Sequence, residues 1–90
     1  MEGEKYMKIY QVITVSHSQF SNSVIPDAYA FDNQFDAEMD IKARTIAFAK
    51  NGEILNYKGV IKSVNDIFEI YKEYVGVEYC DAYIYEVEIR

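Results

Sequence analysis

The residues of this chain that could do chemistry are few, and most gather in one place. The run SHSQFSNS, Ser16 to Ser23, holds the only histidine, His17, beside Ser16, Ser18, Ser21 and Ser23. A serine next to a histidine suggests a nucleophile and its general base. That chemistry needs the two groups within about 3 Å and a third group to orient the base. Sequence neighbours in a loop rarely meet in that geometry, and no Gly-x-Ser-x-Gly turn frames any of these serines. The run therefore reads as a solvated connection whose serines bond their own backbone. It exceeds the roughly two to five residues usual between hairpin strands, which makes it a candidate contact loop through His17 and Phe20.

The other reactive types lead to similar ends. Cys80 is the sole cysteine, so no disulfide can close within the chain. Ala82 and Ile84 follow it at strand spacing and no basic side chain lies near it in sequence, so it reads as a packed, unreactive thiol. One histidine and one cysteine are too few for a closed zinc site. The acidic run DNQFDAEMD, aligned as a calcium loop from Asp32, puts Ala37 where the turn glycine belongs and Ala43 where the closing glutamate belongs. Those acids instead suit the first turns of a helix, whose dipole favours negative charge. The glycines are scattered and make no phosphate cradle. Neither catalytic residues, nor a metal, nor a cofactor is expected, and the chain does not read as an enzyme.

The elements that would carry these residues follow from periodicity. Tyr6 to Val15 is a strand apolar on both sides, with Met7, Ile9, Ile13 and Val15 on one face and Tyr6, Tyr10 and Val12 on the other. Such a strand is central or covered twice. Val24 to Phe31 is a second strand, sent to a sheet edge or made irregular by Pro26, which cannot donate to a ladder. Asp32 or Asn33 then caps a helix that runs to about Lys50 and stops at Gly52. Phe35, Met39, Ala43, Ile46 and Ala49 share one face of it, expected to anchor the helix to the core. A thinner ridge of Ala37, Ile41 and Phe48 lies opposite. Ile54–Tyr57 is a short strand or a crossover.

Ser63 and Asp66 have the spacing of a helix cap. Val64, Ile67, Phe68, Tyr71, Tyr74 and Val75 form the stripe of a second helix, which Gly76 ends. The last strand shows Tyr83, Tyr85, Val87 and Ile89 on one side and Cys80, Ala82 and Ile84 on the other, before Glu86 and Glu88. The reading is one α+β domain over residues 1–90, with 1–5 frayed. Its sheet has three to four mostly antiparallel strands, and two helices pack on one face in ββα(β)αβ order.

Net charge is −6 and the pI near 4.6. Such an acidic chain lacks the basic footprint that phosphate tracking needs, so direct nucleic-acid binding is not expected, nor is an anionic membrane. The N-terminus shows no signal-peptide core and no stretch could span a bilayer, so a cytoplasmic setting is expected.

Eleven Ile and nine Tyr, against one Leu and no Trp, supply more apolar and aromatic surface than a small layered fold hides easily. With the odd strand positions inward, Tyr6, Tyr10, Val12 and Ile84 form an outer patch. Together with Ile41 and Phe48 on the thin helix ridge, they are the expected interface, including that of a homodimer. Asp36, Asp40, Glu69 and Glu73 form an acidic skirt suited to a protein partner with a basic surface. The expected function is a small acidic, non-enzymatic module that occupies a partner protein's surface. Its setting would be a mobile-element or phage-type inhibitor of a nucleic-acid-handling host protein. The alternative is a binder or sponge for a nucleotide-like small molecule at a tyrosine-lined dimer seam, with His17 or Lys58 as polar anchors.

Overall fold

The computed structural model describes residues 7–17, 22–63, 65–66 and 79–89. In chain order these form β1 (Met7–His17), β2 (Asn22–Phe31), α1 (Gln34–Lys50), β3 (Leu55–Ile61) and β4 (Tyr79–Ile89). The architecture is α+β. The strands make one sheet in the order β2-β1-β4-β3.

β1, the strand with no polar face, lies in the interior of the sheet, antiparallel to β2 on one side and to β4 on the other. β2 is an edge. Its register against β1 breaks between Gln11 and Ile13, beside Pro26, and Gln11 Nε2 donates to the Asp27 carbonyl at 2.9 Å across the break.

Two parts of the expected architecture change. The sheet is mixed: two of its three pairings are antiparallel, as expected, but Ile54–Tyr57 is not a marginal strand. The segment forms β3 over Leu55–Ile61 and pairs parallel with β4. A parallel neighbour needs a crossover of about a dozen residues or more, and residues 62–78 are long enough to supply it.

The long connection around His17 also shrinks. Ser16, His17, Asn22 and Ser23 belong to the ladder, with His17 opposite Asn22, so residues 18–21 alone separate the strands. That is ordinary hairpin length. Of the second expected helix only the start is described. There the Asn65 amide donates to Ser63 Oγ at 3.2 Å, and the Asp66 amide to the Ser63 carbonyl at 3.1 Å. The remainder of that helix, like Tyr6, lies outside the described residues.

Helix α1 has the caps its sequence promises. Asn33 Oδ1 accepts from the Asp36 amide at 2.8 Å, satisfying one of the first-turn donors. At the other end Gly52 adopts φ 75°, and the amides of Gly52 and Glu53 donate to the carbonyls of Ala49 and Phe48. That left-handed stop is one a side chain resists.

What α1 buries is the reverse of the expectation. Val12 and Ile84 are wholly buried and Ile41 is 2% exposed, all in one core with Ala37, Leu55 and Ala82. Tyr10, Phe31, Phe48 and Cys80 pack around that core. Val12, Ile84 and Ile41 are therefore interior to the chain, with Tyr10 and Phe48 half-buried against them, and the five do not form an outer interface. The even face of β1 and β4 is the one the helix covers. The odd face holds a second core of Ile13, Val15 and Tyr83, with Ile61 and Tyr85 against it.

The physical reason is Arg44. Ala37, Ile41, Arg44 and Phe48 recur at helical spacing along one side of α1. The Arg44 guanidinium forms an ion pair with Asp27 on β2 and donates from Nε to Asp40 Oδ2 at 2.7 Å. A single rotation of the helix makes that ion pair and buries the apolar ridge. A count of apolar residues treats Arg44 as a break in the ridge and so favours the wrong side.

Candidate contact groove between α1 and β3

With Ala37, Ile41 and Phe48 turned inward, the larger stripe of α1 faces out. Phe35 is 59% exposed, Met39 49% and Ile46 57%. Between this stripe and Tyr57 on the β3 edge runs a groove of about 690 Å³, bounded by Phe35, Glu38, Met39, Ile41, Lys42, Thr45, Ile46 and Tyr57. Leu55, next but one to Tyr57, is buried in the core and fixes the strand beneath the groove.

The polar groups of the groove are mostly engaged. Tyr57 Oη donates to Glu38 Oε2 at 3.1 Å, and the same oxygen accepts from Gln34 Nε2 at 3.2 Å. Burial, with the Glu38 carboxylate beside it, pushes the Tyr57 hydroxyl up to about 12, so it remains a donor at any physiological pH. Thr45 Oγ1 donates to the Ile41 carbonyl at 2.8 Å, a bond within the helix. Lys42 is exposed on the rim. The groove combines apolar walls with one tyrosine–carboxylate pair. Such walls can hold another apolar surface, and among the described residues that line them no nucleophile stands beside a base.

The remaining residues singled out in the sequence fall elsewhere. Asp36 is exposed, with Oδ2 accepting from Asn33 Nδ2 at 2.9 Å, so it belongs to the helix cap. Asp40 is half-buried and directs its carboxylate at Arg44. Burial disfavours charge on that guanidinium, but its bonds to Asp27 and Asp40 outweigh the penalty and hold its pKa above the ordinary value. Asp40 is thus committed to the fold rather than offered to a partner. Glu69, Glu73 and Phe20 lie outside the described residues. His17 is the last residue of β1, and Lys58 is exposed on β3.

Cys80 is a half-buried free thiol packed against the core. Among the described residues no cluster of His, Cys, Asp and Glu could hold a metal ion, and no helix is long and apolar enough to cross a membrane.

Reasoning from sequence missed two features. One is the Arg44–Asp27 bridge, whose partners are 17 residues apart and carry no local signature. The other is Tyr57 as a groove residue, which depends on β3 being a full strand. The exposed stripe itself was legible but assigned to the core.

Neither a protein-family model nor a curated protein nor a solved structure matches this chain.

Proposed function

We propose that this protein is a non-enzymatic binding module whose contact surface is the outer stripe of α1 together with the groove beside Tyr57. The observation that carries this reading is the exposure of Phe35, Met39 and Ile46 on one side of a single helix. Three large apolar side chains, aligned and wet, raise the free energy of the isolated chain, and a partner's surface removes that cost. The groove offers depth for one or two anchoring side chains.

Exposed Asp36 and Glu38 at the N-terminal end of the stripe favour a protein partner that sets a basic group beside its apolar anchors. In the inhibitor form of this reading, the decoy charge comes from those two residues rather than from Asp40.

The test is affinity capture from lysate of the native host, comparing the wild-type chain with Met39→Glu and Ile46→Glu. Both positions are solvent-facing, so the variants should fold. A partner bound by the wild type and by an Ile25→Ser control on β2, but lost by both α1 variants, supports the reading. Equal capture by all four chains, or by none, removes it.

A second reading draws on the groove volume, which lies in the range of about 300–1,000 Å³ typical of small-molecule sites. An aromatic ligand stacked on Tyr57 would protect the fold against heat when the chain is screened with metabolite mixtures. The contact-surface reading expects no such shift.

A further inference from the structure

The stripe on α1 has a charge pattern that fits one partner in particular. Asp36, Glu38 and Asp40 occupy the first half of the helix, and Lys42, Arg44 and Lys50 the second. Asp40 and Arg44 satisfy each other and Asp27 on the β2 side. That leaves Asp36 and Glu38 as exposed acids at one end of the outer face, with Lys50 as an exposed base at the other and Lys42 near the middle. A surface that is acidic at one end and basic at the other complements itself after rotation by half a turn. A two-fold axis through the middle of α1 supplies that rotation.

We propose that the outer face of α1 pairs with α1 of a second copy, the two helices antiparallel about that axis. The inference rests on the reading of this stripe as the contact surface, and it names the partner. With the axis near Lys42 and Ala43, Met39 of each copy falls opposite Ile46 of the other, and Phe35 opposite Lys50. Ala43, exposed and small, lets the backbones approach where they cross. Lys50 of the second copy then lies beside Asp36 and Glu38, and the aliphatic stem of Lys50 covers the Phe35 ring.

Among the described residues both sheet edges carry features that resist a competing route. Pro26 interrupts the donor row of β2, and on β3 exposed Lys58 sits at the register break before Gly59, which adopts φ 119°. Charged residues, prolines and bulges at an edge resist strand-to-strand pairing.

Size-exclusion chromatography with light scattering, over a broad range of concentration, tests the proposal. The wild-type mass should climb toward twice 10.5 kDa. Met39→Glu and Ile46→Glu should each stay at the monomer mass with unchanged circular dichroism. Lys50→Glu and Asp36→Lys/Glu38→Lys should each self-associate at least about tenfold more weakly than wild type, because like charges then face one another. An equimolar mixture of those two variants should regain the dimer.

A wild-type mass of 10.5 kDa at every concentration overturns the proposal. So does a dimer indifferent to Ile46→Glu, or a charge-swapped mixture that stays monomeric. The two readings fail separately. A monomer whose capture of a partner still depends on Ile46 leaves the contact surface standing without self-pairing. A dimer broken by Ile46→Glu that captures nothing else leaves self-pairing standing alone.

Discussion

Tyr57 binds its hydroxyl proton more tightly in the folded chain than in the unfolded one, and the difference can be measured. Partial burial and the neighbouring Glu38 carboxylate both oppose a phenolate and raise its pKa to about 12 from the ordinary 10. A group whose folded pKa is raised stabilises the fold fully below its unfolded pKa. That contribution is lost as pH rises from about 10 through about 12. Because Tyr57 is 40% exposed, solvent screens the interaction and its share of stability is small. An ultraviolet titration of the folded protein should show a late-ionising component that is lost in Tyr57→Phe, and Glu38→Gln should bring that component earlier. A Tyr57 that ionises at the ordinary value near 10 would contradict the geometry of the groove. None of this was legible in the sequence, since Tyr57 and Glu38 are 19 residues apart and meet only because β3 lies under α1.

Helix α1 shows how one polar residue can decide the direction of an entire element. Its limits were readable, because Asn33 and Gly52 are residue types with strong local reasons to begin and end a helix. Its buried side was not. Phe35, Met39 and Ile46 outweigh Ala37, Ile41 and Phe48 in apolar volume, so amphipathicity alone turns the helix the wrong way. The Arg44–Asp27 bridge ties that rotation to β2, while the Arg44–Asp40 bond lies within the helix. Arg44→Met keeps the stem and removes the charge, leaving the Asp27 and Asp40 carboxylates partly buried without a cation. It should cost about 1–3 kcal/mol by urea unfolding, the usual penalty for stranding such groups. A loss within about 0.5 kcal/mol, the range of ordinary surface substitutions, would show that the bridge does not hold α1 in place. The strands were read with similar partial success. Pro26 marks β2 as an edge for a reason local to proline. The parallel pairing of β3 with β4 depends on a distant crossover that periodicity cannot register.

At the scale of the whole molecule, a sheet apolar on both faces sits under a helix that is also apolar on two sides. β1 contributes Val12 to one core and Ile13 and Val15 to the other, so its middle is covered on both faces, while Met7 at its start is exposed. The surplus of apolar surface suggested by composition is real: it lies on α1 as Phe35, Met39 and Ile46, and on the sheet as Met7, Val24, Ile25 and Ile89. Contact surface, groove and self-pairing all depend on which stripe of α1 points outward. Equilibrium urea unfolding of Ile41→Ala and Ile46→Ala compares the two stripes with the same chemical change. Ile41→Ala should lose about 2–4 kcal/mol, the cost of a cavity in a packed core, and the exposed Ile46→Ala less than about 1 kcal/mol. Equal losses, or a larger one at Ile46, would mean that α1 packs the other way round.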